Sequence, residues 1–66
     1  MPRELGRRLK EARTRVNLTQ QALADRVGVH RVYIAHLETG ARTSPSLAVL
    51  DRLAKALKVK LVDLLR

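Results

Sequence analysis

The sequence predicts an all-α protein, a compact domain of five short helices. Three observations predict it. Apolar residues recur every three or four positions along almost the whole chain. β-Branched residues are few and never alternate for long, so strand signals are weak. Glycines and capping residues cut the helical pattern into short pieces. The chain has 66 residues and is read as one domain spanning 1–66. A domain this small buries only about 60% of the surface its unfolded chain exposes. It contains no cysteine, so neither a disulfide nor a thiolate-bound metal can staple it. An aliphatic helical core has to do that work.

The elements follow in order. Leu5, Leu9, Ala12 and Val16 lie on one face of a first helix, roughly Arg3 to Arg15. The segment "NLT" breaks it. Thr19 is placed to cap a second helix through its hydroxyl. Leu23, Ala24 and Val27 form that helix's apolar face, and Gly28 ends it, since a left-handed exit favours glycine. A third helix runs from about Arg31 to Thr39 with Ile34 and Leu37 inward. Gly40 ends it, and "ARTSPS" is a loop. Ser46 caps a fourth helix that carries Leu47, Leu50, Leu53, Ala54 and Leu57. The final "VKLVDLLR" forms a short fifth helix with Leu61, Leu64 and Leu65.

Charge narrows the class of partner. Lys and Arg number 14 against 6 acidic residues, a net charge of +8. Such a field favours duplex DNA, RNA or an anionic lipid surface. Residues 1–15 carry +4, residues 16–42 carry +1 and residues 43–66 carry +3. No block of five like charges occurs, so the charge is not a disordered basic tail. No apolar run is long enough to span a membrane, and "MPRELGRRLK" lacks the apolar stretch of a signal peptide. With no cysteine, a cytoplasmic location is the expectation. The first helix has a narrow apolar stripe without tryptophan or phenylalanine, which ranks membrane-surface binding last. With a single aromatic residue, Tyr33, the chain cannot build the stacking platform that single strands prefer.

Helices two and three are joined only by "GVH". So short a connection favours two helices that cross steeply, a helix-turn-helix over about residues 19–39. Ala24 is small where the two would approach, Gly28 four residues on supplies the turn, and Ile34 six further on plugs the angle. With Ile34 and Leu37 inward, Val32, Ala35, His36 and Thr39 point outward at 100° per residue, and Arg31 and Tyr33 flank.

The stretch "LTQQALADRVGVHRVYIAHLETGARTSPSLAVLDRLAKAL" resembles the DNA-binding domain of phage lambda-type and 434-type repressors, a large helix-turn-helix family of transcriptional regulators. The likeness covers nearly the whole chain. It implies a lambda repressor-like DNA-binding fold whose third helix enters the major groove. By position, Arg31, Val32 and His36 match the family's base-reading sites. Arg31 suits guanine O6 and N7, Val32 a thymine methyl, and His36 a guanine acceptor. The resemblance has Gln20, beside Thr19 at the start of helix two, bond a phosphate and brace the base-reading residue that opens helix three. It places Arg42, Thr43 and Ser44 against the DNA backbone. Tyr33 can pack its ring and reach a phosphate with its hydroxyl. The resemblance also pairs Arg13 with Glu38; both border the inward faces of their helices, so they read as a structural ion pair.

The chain departs from the family at three places. His30 stands at the cap of helix three, where serine or threonine is common; it is a poor cap but can donate to a phosphate. Lys58 replaces the usual glycine after helix four, which puts a lysine where a left-handed backbone is expected. Lys60 replaces the usual polar cap of helix five.

The expected function is a sequence-specific double-stranded DNA-binding regulator, a repressor on a two-fold operator. Family members usually bind as dimers. Leu61, Val62, Leu64 and Leu65 exceed what a small fifth helix needs for its own packing, so some of them are expected at the homodimer contact. The alternative is an antitoxin that binds a toxin protein and its own promoter. Catalysis is not expected. His30 and His36 face apart on the helix, no phosphate-cradling glycine loop occurs, and neither histidine has an evident serine or cysteine partner. No metal, cofactor or small-molecule ligand is expected.

Overall fold

A computed structural model of the chain describes residues 4–42 and 44–65. It contains five helices: α1 (Leu5–Arg15), α2 (Gln20–Val27), α3 (Arg31–Thr39), α4 (Leu47–Leu57) and α5 (Leu61–Leu65), with no strand among the described residues. The all-α, five-helix expectation holds. Arg3 lies outside the described residues, and α1 begins after Glu4.

Local chemistry sets the ends. The Thr19 hydroxyl accepts from the Ala22 amide at 3.0 Å, and the Ser46 hydroxyl accepts from the Val49 amide at 3.1 Å. Three helices close with the same backbone motif, in which an amide donates five residues back: Leu18 to Arg13, Val29 to Ala24 and Val59 to Ala54, at 3.0–3.1 Å. This closure needs one left-handed residue. Asn17 (φ +59°), Gly28 (φ +82°) and Lys58 (φ +59°) supply it. Lys58 therefore does adopt the conformation that glycine favours. Lys60 lacks a capping side chain of its own, but the Asp63 carboxylate accepts from the Lys60 amide at 3.1 Å, half of a capping box.

The core is aliphatic. Leu9, Leu23, Ile34, Leu37, Leu50, Leu53, Leu57 and Leu64 are fully buried, one or more from each helix. α1 packs on α3 and α5, α2 on α3 and α4, and α4 on α5. Leu47 departs from its expected place in that core and stands 67% exposed. It is the first residue of α4, and helical Cα–Cβ bonds tilt toward the N-terminus, so its side chain overshoots the end of the core.

Two features of α1 decide where α3 sits. A Cβ on Gly6 would overlap the main-chain carbonyls of Leu37 and Glu38, so the two helices meet almost backbone to backbone. At the other end, Arg13 crosses to Glu38. The solvent side of α1 carries a small charge cluster. Arg7 and Arg8 both donate to Glu4, at 2.7 and 3.2 Å. These bonds, Arg7's first, hold the Glu4 carboxyl below its ordinary value, and Glu4 in turn raises the Arg7 guanidinium. No described helix is long and apolar enough to cross a membrane.

Candidate nucleic-acid interface

α3 is held by one face and offers the other. Ile34 and Leu37 are sealed in the core, while Arg31, His36 and Thr39 are exposed and Val32 is 50% exposed. A single exposed apolar side chain is ordinary on a protein surface; this one lies between two polar donors, Arg31 and His36, on one open helical face. Ala35 and Tyr33 are half-buried at the flanks. The turn that presents the helix is built from Ala24, fully buried beneath it, the left-handed Gly28 and half-buried Val29. His30 is the N-cap of α3 and makes no side-chain capping bond, so its imidazole is exposed and uncommitted to the helix.

The electrostatics of that face follow from one buried carboxylate. Glu38 is the sole acid in α3, and its side chain is only 3% exposed. Arg13 Nε donates to Oε2 at 2.6 Å and Nη2 to Oε1 at 3.1 Å, a bidentate pair. Arg13 Nη1 donates to the Leu18 carbonyl at 2.8 Å, which ties in the α1–α2 loop. Among the described residues no buried side-chain nitrogen or oxygen lacks a partner. With its acid turned inward and neutralised, the exposed face of α3 presents donors and no carboxylate.

Gln20 differs from the sequence reading. Its Nε2 donates to Glu38 Oε1 at 3.1 Å, so the residue it braces lies in the last turn of α3, not at Arg31 in the first. The start of α2 packs beside the end of α3, and the buried carboxylate there is the strongest acceptor within reach. Arg42 and Ser44 are exposed in the loop after α3, as is Thr19 at the start of α2. The Arg42 guanidinium lies over the Tyr33 ring, 5.1 Å from its centroid. Thr43 lies outside the described residues.

Of the four side chains among which a dimer contact is expected, Leu64 is 1% exposed in the chain's own core, so its side chain is unavailable to a partner. α5 has only 5 residues and needs that leucine to anchor against α4 and α1. Leu61 and Leu65 are half-buried against the same core, and Val62 is 57% exposed. Two structural residues went unseen in the sequence. Gly6 had a signal, since a glycine inside a helical pattern is disfavoured relative to alanine and calls for a packing reason. Pro45, buried just before the α4 cap, had none beyond lying in a loop.

Comparison with known proteins agrees with this geometry. A helix-turn-helix family model matches residues 9–64. An uncharacterized HTH-type transcriptional regulator of Archaeoglobus fulgidus is 42% identical over 57 residues, covering 86% of this chain and 79% of the relative. The restriction-modification controller protein C.AhdI from Aeromonas hydrophila superposes with a TM-score of 0.87 at 37% identity, covering 94% of this chain and 92% of that one. SinR, a master regulator for biofilm formation solved in complex with DNA, superposes with a TM-score of 0.90 at 29% identity, covering 94% and 98%. The chain belongs to the lambda repressor-like helix-turn-helix family. That family is one of transcriptional regulators, and the chain is not an enzyme.

Proposed function

We propose that this protein is a sequence-specific double-stranded DNA-binding transcriptional regulator of the cytoplasm, acting as a repressor. Arg31, Val32 and His36 read base edges from α3 in the major groove. Thr19 and Gln20 at the start of α2, His30 at the cap of α3, and Arg42, Thr43 and Ser44 after it engage the phosphate backbone. Gln20 keeps a second amide hydrogen for that contact once the first is given to Glu38. Phosphate contacts supply most of the affinity and base contacts the selectivity. One such chain reads few base pairs. A homodimer joined through the exposed Val62 and its neighbours Leu61 and Leu65 doubles the site on a two-fold operator, with half-sites about one turn apart.

The observation that carries this reading is the open face of α3. It sets a half-exposed valine between arginine and histidine with no acid beside them, on a helix whose other face is sealed in the core. The likeness to SinR, whose structure was solved with DNA, supports it. The test is a selection of binding sites from random duplex DNA by the protein. A two-fold motif whose enrichment disappears in Arg31→Ala is the expected result. Binding with a steep salt dependence but no enriched motif sinks base-specific regulation.

A further inference from the structure

Beside α3 lies a shallow open cleft lined by Gly28, Val29, His30, Tyr33, Arg42 and Val49. Its apolar lining comes from the two half-buried valines and the half-buried tyrosine. Its rim carries the His30 imidazole, which makes no capping bond, and the Arg42 guanidinium. No acidic side chain lines it. Arg42 is exposed and belongs to a loop, so its long side chain would ordinarily sample many rotamers. Here both ends are held. Its backbone amide donates to the His36 carbonyl at 3.0 Å, and its guanidinium rests on Tyr33 at 5.1 Å. A guanidinium held over an aromatic ring keeps N–H groups free to donate.

We infer that Tyr33 is a positioning residue for Arg42, and that the cleft they share with His30 seats one sugar-phosphate unit of the DNA backbone. A deoxyribose offers an apolar face to the two valines, and its phosphate offers anionic oxygens to the guanidinium fork and the imidazole. The cleft adjoins Arg31, so a backbone seated there sets the register in which α3 meets base edges. This inference rests on the DNA-binding reading above. It replaces the expected contact between the Tyr33 hydroxyl and a phosphate: the ring acts, through Arg42.

The test uses the duplex selected by the wild-type protein, titrated between about 50 and 200 mM salt, with Tyr33→Phe, Tyr33→Leu, Arg42→Ala and the Tyr33→Leu/Arg42→Ala double variant. Arg42→Ala lowers affinity roughly tenfold and reduces the salt slope by about one. Tyr33→Leu lowers affinity about threefold and adds nothing in the Arg42→Ala background. Tyr33→Phe binds as wild type. In free protein, the Arg42 side-chain methylene protons show an upfield ring-current shift by NMR that Tyr33→Phe keeps and Tyr33→Leu loses. Arg42 is exposed, so its replacement leaves folding intact even if Tyr33→Leu does not fold. A Tyr33→Phe variant as weak as Tyr33→Leu, or additive losses in the double variant, overturns the positioning role. Wild-type binding that Arg42→Ala leaves unchanged overturns the seat alone. A wild-type protein that binds no duplex overturns both the seat and the DNA-binding reading.

Discussion

Gln20 donates from its side-chain amide to Oε1 of Glu38 across 3.1 Å, the same oxygen that Arg13 Nη2 reaches at 3.1 Å. One buried carboxylate thereby joins the ends of three elements: α1 through Arg13, α2 through Gln20 and α3 through Glu38 itself. The last turn of α3 is fixed to the scaffold by charge-assisted bonds.

Removing the cation from this network leaves a 3%-exposed carboxylate with a single neutral donor. Arg13→Ala is expected to cost about 3–5 kcal/mol, and Gln20→Ala only about 1 kcal/mol, measured by urea unfolding. If Arg13→Ala does not fold, the Arg13→Met/Glu38→Leu pair provides the check, because replacing both charges restores a folded domain. Equal losses for Arg13→Ala and Gln20→Ala would count against the network.

Gly6→Ala sets two effects against each other. Helix propensity favours alanine by about 1 kcal/mol. The added Cβ, however, would overlap the carbonyls of Leu37 and Glu38, which are backbone and cannot swing away. Overpacking of this kind costs about 1–3 kcal/mol or more, so the net effect is destabilising. A rise in melting temperature for Gly6→Ala would show that α1 and α3 do not meet this closely.

Lys58→Gly should stabilise. The lysine holds φ at +59° in the closure of α4, a conformation that costs a side-chain-bearing residue about 1 kcal/mol or more. For a domain of this size, a gain of about 1 kcal/mol raises the melting temperature by roughly 4–8 °C. The same substitution at Lys60, outside the left-handed region, brings no such gain, and calorimetry of the two variants side by side makes the comparison.

Val62 and Leu64 separate assembly from folding. Val62→Glu places a charge on a position that is 57% exposed in the protomer. It should shift a dimer toward monomer in sedimentation while helical content stays unchanged. Leu64→Ala removes a fully buried side chain and should cost about 2–5 kcal/mol of stability at any concentration. A Val62→Glu protein that self-associates like wild type would move the dimer contact elsewhere.

Much of the fold is legible because it is local. Thr19 and Ser46 cap through bonds that reach three residues forward, and Gly28 and Gly40 adopt positive φ at helix ends. Such signals depend only on near neighbours in the chain. The inward face of α3 is legible for a related reason, since Ile34 and Leu37 are spaced by the helical repeat. The misplaced residues are those whose surroundings come from distant segments. Leu47 and Leu64 both sit at apolar positions of helical patterns, yet one is exposed and the other sealed, because periodicity assigns a face without saying what covers it.

By itself, then, the sequence determined five helices, their caps, the short helix-turn-helix connection and a basic surface suited to a polyanion, since each depends on spacing, backbone propensity or charge count. Tertiary structure alone decided that Gly6 admits α3 to backbone contact, that Gln20 is tied to Glu38 and not to Arg31, and that Tyr33 carries Arg42. The physical reason is separation along the chain. Gln20 and Glu38 lie 18 residues apart, and Arg13 and Glu38 lie 25 apart. Which groups meet over such distances is settled by how the aliphatic faces pack, and no local rule encodes it.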